Sequence, residues 1–153
     1  MMKKITCIFN SPTINTSAIS MKIIDTIKSE NLDLKIKLIN PLEADKDDVI
    51  ETNGIIIGTS ENLGSMSGAT KDFFDRIYYE VIDKTDGLPI AVWIRAGHDG
   101  TGTLRQLKSI LTGLKWKLVQ DVLICRGPWN EKFIEECVEM SLGFAHGIEQ
   151  NIF

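Results

Sequence analysis

Eight residues near the amino terminus carry a dense set of hydrogen-bonding groups. Asn10-Ser11-Pro12-Thr13-Ile14-Asn15-Thr16-Ser17 supplies four hydroxyls and two amides, and neither lysine nor arginine. An apolar run, Ile5 to Phe9, precedes it, and isoleucines at helical spacing, Ile19, Ile23, Ile24 and Ile27, follow. The segment therefore opens a helix, where the first N–H groups lack partners and the dipole favours negative charge. One hydroxyl there would be an ordinary cap. Four within seven residues predict an anion site built from neutral donors: Ser11, Thr13, Asn15, Thr16 and Ser17.

Two further segments have the composition of ligand loops. Thr59-Ser60-Glu61-Asn62-Leu63-Gly64-Ser65-Met66-Ser67-Gly68 is polar, and its glycines allow tight turns. Ala96-Gly97-His98-Asp99-Gly100-Thr101-Gly102 holds three glycines, which let backbone approach a flat or charged ligand. Their order is not G-x-G-x-x-G, so the dinucleotide fingerprint is absent. His98 reads as a solvent-exposed loop residue and His146 as a packing-edge residue. The three cysteines, Cys7, Cys125 and Cys137, form no C-x-x-C pair and fall in apolar patterns, so they read as buried free thiols. Nothing has the spacing of a metal site.

The elements that carry these loops alternate. Strand patterns cover Lys3 to Asn10, Leu34 to Ile39, Gly54 to Thr59, Leu88 to Arg95 and part of Lys117 to Cys125. The second alternates with lysines and reads as an edge strand; the third is apolar throughout, as a strand buried on both faces must be. Helical spacing covers Ser17 to Ser29, part of Pro41 to Asn53, the stretch around Phe73 to Val81, Leu104 to Leu114 and Glu131 to Gln150. Strict alternation predicts a three-layer α/β domain over residues 1–153, with a five-stranded parallel sheet of order 2-1-3-4-5. In doubly wound sheets, this strand order included, ligands bind outside the carboxyl ends of the strands where the winding reverses. All three loops lie on that edge.

Composition narrows the classes. The chain has 153 residues, 43% hydrophobic and 25% charged, with a net charge of -4. That is ordinary globular composition, and no basic stripe suggests nucleic acid. No apolar run approaches a membrane span and no secretory leader is visible, so a cytoplasmic location is expected. Two other uses of such a topology are excluded by residue type. A phosphoryl-accepting receiver needs acidic residues after the first strand and an aspartate ending the third. Asn10-Ser11 and Thr59-Ser60 stand there instead. A low-molecular-weight tyrosine phosphatase needs a cysteine and an arginine around its phosphate loop, and neither follows the first strand.

The segment Ser60 to Arg76 resembles the second flavin loop and following helix of the flavodoxin and NAD(P)H-dependent FMN reductase superfamily. Asn10 to Ser17 is similar to the phosphate loop of that superfamily, and Gly97 to Val119 to its third loop and fourth helix. The resemblance runs in order along nearly the whole chain. It departs at three places: Asn62 stands where an aromatic is usual, Ser60 where a proline is usual, and Thr13 where a basic residue is usual.

The resemblance implies FMN as cofactor, with NADH or NADPH as electron donor and a small molecule as acceptor. Ser11, Thr13, Asn15, Thr16 and Ser17 would hold the phosphate. Ser60, Glu61, Asn62, Leu63, Gly64 and Ser65 would meet the ribityl chain and the ring edge through main-chain groups. Ala96, Gly97 and Gly102 would line the other side of the ring. Trp129 is a candidate to supply the missing aromatic. No side chain is assigned as a catalytic acid or base, because the chemistry belongs to the flavin. An electron carrier without enzymatic activity and a relative that has lost flavin remain alternatives. A homodimer through the helix bearing Phe73, Phe74, Tyr78 and Tyr79 is also expected, since adjacent residues point about 100° apart and should not all face one core.

Overall fold

The computed structural model of the chain describes residues 2–153. Strands and helices follow in the order β1 (Lys3–Phe9), α1 (Ile14–Ser29), β2 (Leu34–Ile39), α2 (Lys46–Ile50), β3 (Gly54–Asn62), β4 (Ser65–Met66), α3 (Gly68–Val81), β5 (Pro89–Ala96), α4 (Thr101–Leu114), β6 (Lys117–Leu118), β7 (Leu123–Arg126) and α5 (Lys132–Glu149). The parallel sheet runs β2-β1-β3-β5, and β6 and β7 both pair with β5. This is the expected order, with the fifth strand split in two. Five residue steps from Leu118 to Leu123 face three from Ile90 to Trp93, so the extra residues leave the ladder as a bulge.

Alternate strand residues feed two cores. Ile55, Ile57, Ile90, Val92 and Ile94 pack against α3 and α4 on one face. Ile5, Cys7, Ile56, Ala91 and Trp93 pack against α1 and α5 on the other. Burying each large apolar side chain contributes about 1.5–3 kcal/mol. All three cysteines are buried and free. Burial pushes the Cys7 thiol up to about 12, so it stays protonated as a core residue. Among the described residues no helix is long and apolar enough to cross a membrane.

The adjacent aromatics of α3 correct one premise. Phe73 and Phe74 are both buried, and Tyr78 is half-buried with its ring against Gly113. Only Tyr79 stands in solvent, 86% exposed. The helix lies in a groove between α2 and α4, so its buried arc is wide enough for neighbouring positions.

Candidate functional site

The carboxyl ends of β1 and β3 are tied together before any ligand is considered. The Asn10 N–H donates to the Gly58 carbonyl at 2.8 Å, and its side-chain amide donates to Ser60 Oγ at 3.3 Å. From there the chain enters α1, which begins at Ile14, three residues earlier than the apolar periodicity predicts. The reason is a reciprocal cap. Thr13 Oγ1 accepts from the Thr16 N–H, and Thr16 Oγ1 accepts from the Thr13 N–H, each at 3.1 Å. This cap is neutral, and no acidic residue stands in the first turn. The N–H groups of Ile14 and Asn15 have no protein partner among the described residues.

β3 runs three residues further than its apolar run, because Glu61 and Asn62 pair antiparallel with Met66 and Ser65. The predicted loop is thus a β-hairpin. Leu63 and Gly64 turn it, both at positive φ, as a two-residue hairpin turn demands. The hairpin leans on α4. Glu61 Oε1 accepts from the Gly100 N–H at 3.2 Å, and Oε2 from the Thr103 N–H at 3.0 Å. Gln106 donates to Ser65 Oγ at 2.9 Å and accepts from the Met66 N–H at 2.8 Å. A Cβ on Gly102 would stand 2.0 Å from the Gly64 carbonyl oxygen, so only glycine admits this contact.

A cleft of about 300 Å³ opens between α1, the hairpin and the end of β5. Pro12, Thr13, Asn15, Thr16, Ser60, Glu61, Asn62, Arg95 and Gly97 line it. Hollows of similar volume exist elsewhere, one at the amino ends of the strands around Lys3, Asn53 and Phe153. Volume therefore does not single out the cleft; its place at the carboxyl ends of the strands, beside the open start of α1, does.

The expected site residues divide. Thr13, Asn15, Thr16, Ser60, Glu61, Asn62 and Gly97 come together in the cleft. Ser11 and Ser17 line a separate hollow on the other side of α1, with Leu38, Asn40 and Glu43, and the Ser11 hydroxyl bonds that of Ser20. Leu63 and Gly64 are the hairpin tip, and Leu63 is wholly in solvent. Ser65 and Gly102 face the α4–hairpin seam. Ala96 is buried in the core under α4, and its carbonyl accepts from the Gly127 N–H at 3.0 Å. His98 is exposed.

Arg95, the last residue but one of β5, was not among the expected residues. Its Nη1 donates to the Cys125 carbonyl at 3.0 Å and to that of Ala96. Its guanidinium lies 5.8 Å from the Trp129 ring centroid and 5.1 Å from that of Phe133. Trp129 is thus engaged beside Arg95, outside the cleft lining, and its indole donates to Glu131 at 3.0 Å. Arg95 makes no ion pair with any described residue. The sequence did hold one signal for it: a charge closing a strand that is otherwise apolar.

The sequence pattern of the NADPH-dependent FMN reductase family matches residues 15–129. A flavodoxin of Aquifex aeolicus is 29% identical over 114 residues, which cover 74% of this chain and 60% of that protein. The chain therefore spans less than two thirds of that curated relative. Among solved structures, a flavodoxin from the domain Archaea superposes with a TM-score of 0.78 at 20% identity, over 95% of this chain and 98% of that one. The rubredoxin:oxygen oxidoreductase of Desulfovibrio gigas superposes with a TM-score of 0.77 at 12% identity, over 99% of this chain and 38% of that one. At these identities the two structures show the shared fold.

Proposed function

The chain belongs to the NADPH-dependent FMN reductase family, and on that premise we propose that its cleft holds FMN and serves two-electron transfer from NADH or NADPH to a small acceptor. The observation that carries the reading is the start of α1. Two N–H groups without protein partners among the described residues and a neutral cap stand there, and Thr13, Asn15 and Thr16 line a cleft at the edge where this fold takes ligands; the one carboxylate in that lining, Glu61, is engaged by the Gly100 and Thr103 N–H groups. The donor set suits a phosphate. Thr13 and Asn15 supply further polar contacts there, and Ser60, Asn62 and Gly97 would border the rest of the ligand. Gly97 has no atom within 4 Å of where its Cβ would be, so its backbone is open to a flat group. Bound there, FMN would supply the redox chemistry; the protein positions it and sets its electrostatics.

A one-electron carrier is the second reading, favoured by the likeness to flavodoxins. A net charge of -4 argues for the reductase, because a carrier that docks to redox partners gains from strong steering charge. The test is the absorption spectrum of the purified protein before and after added FMN, then oxidation of NADH and NADPH by the loaded protein with a quinone. Flavin uptake with nicotinamide oxidation is expected. Uptake without oxidation of either nicotinamide would leave the carrier, and no uptake at high micromolar FMN would defeat both.

A further inference from the structure

The cleft is lined by two charged side chains, Glu61 and Arg95. Both carboxylate oxygens of Glu61 accept N–H groups of α4, so its charge is engaged there. Arg95 is held differently. Its hydrogen bonds to protein use Nη1 alone, and both acceptors are neutral carbonyls. Two aromatic rings flank it, and Nε and Nη2 have no protein partner among the described residues. A half-buried guanidinium with spare donors and no carboxylate is a cation without its anion.

Its place says which part of a ligand it meets. β5 is separated from β1 by β3, a distance of about 10 Å between strand axes. Arg95 is tethered toward β7, away from β1, through the Cys125 carbonyl. An anion bound at the start of α1 thus lies at one end of the cleft and the guanidinium at the other. Resting on the FMN reading, we propose that Arg95 sets the reduction potential of the bound flavin by holding its reduced, anionic ring more tightly than its oxidised, neutral ring. Such a partner would meet the charge that reduction adds. A dihydronicotinamide gives up a hydride from its C4–H bond and becomes cationic. The hydride forms the N5–H bond of the neutral oxidised ring, which thereby gains one negative charge. A fixed cation beside that ring favours the product of this step, and the acceptor that later removes two electrons removes the charge with them.

The test compares FMN-loaded wild type with Arg95→Gln, Arg95→Met and Arg95→Lys. The midpoint potential is read spectrally against a reference dye, and oxidised FMN affinity by fluorescence titration. Arg95→Gln should weaken binding of the reduced flavin about tenfold more than the oxidised, which lowers the two-electron midpoint by about 30 mV. Arg95→Met keeps the stem packed against the aromatic pair and gives the same shift if the glutamine variant does not fold. Arg95→Lys keeps the charge and should recover most of the midpoint. A neutral variant that loses affinity equally for both states, with the midpoint unmoved, overturns the assignment and leaves the FMN reading standing. A wild type that takes up no FMN overturns both.

Discussion

Helices α1 and α4 aim their N-termini at the same edge of the sheet, and they are finished in opposite ways. α4 receives the Glu61 carboxylate from the hairpin, bonded to Gly100 and Thr103 N–H, and the Asp99 carboxylate beside its first turn, bonded to Thr101. α1 receives only the Thr13–Thr16 hydroxyl pair and leaves two N–H groups open. The dipole argument applies equally to both ends. What separates them is that α4 carries its own anions, whereas α1 has room for one from outside. The start of α1 is thus open to an anion where the start of α4 is already served.

The sharpest way to break this contrast is to strip α4. Glu61→Ala removes two charge-assisted bonds and leaves their N–H groups facing the seam with the hairpin. Unfolding in urea should show a loss of about 2 kcal/mol, below the sum of two such bonds because the side chain is partly solvated. Gly102→Ala should cost a similar amount by forcing the Gly64 carbonyl away. A Glu61→Ala protein as stable as wild type would mean that the hairpin does not depend on that contact.

The converse change gives α1 what α4 has. Thr13→Asp places a carboxylate at the N-cap, a favourable residue there. Stability should rise by about 0.5 kcal/mol from the dipole interaction. FMN affinity should fall about tenfold, or about 1.4 kcal/mol, because the carboxylate faces the phosphate. Riboflavin, which has no phosphate, should bind wild type and variant alike. Equal losses for FMN and riboflavin would place the phosphate away from α1.

How far the sequence reached differs between these two helix ends for a physical reason. The sheet order, both cores and the hydroxyl-rich loop that opens α1 were legible, because hydrophobic period and hydroxyl density are local signals. The split last strand was not, since a bulge depends on how Leu118 to Leu123 meets Ile90 to Trp93 across the ladder. Nor was the outward turn of Ser11 and Ser17, which side-chain type does not encode. Glu61 was expected to contribute main-chain contacts; that its side chain spans to α4 was not foreseen. A cap supplied by a residue 39 positions away leaves no spacing to read. Arg95 escaped in the same way: its significance comes from Cys125, Trp129 and Phe133, all distant in sequence.

The smallest effect tests the other anion of α4. Asp99 accepts from the Thr101 N–H at 3.1 Å and from its hydroxyl at 3.0 Å, and these bonds hold its carboxyl below its ordinary value of 3.8. A carboxyl whose folded value is depressed binds protons more readily in the unfolded chain. Its contribution to stability is therefore whole above the ordinary value and is lost as pH falls through the folded one. Asp99→Asn keeps the turn geometry and removes the charge. Wild type should be slightly more stable than this variant at pH 6, and the gap should close as pH falls below the ordinary carboxyl value and through the folded one. FMN affinity at pH 6 should be the same in both, because Asp99 serves α4 and stands outside the cleft lining. Thermal unfolding across that pH range reads the first expectation and flavin titration the second. A gap that does not narrow as pH falls would assign the stabilisation to the turn and not to the charge. A change in FMN affinity would mean that α4, as well as α1, offers its N-terminus to the ligand, and the contrast between the two helices would fail.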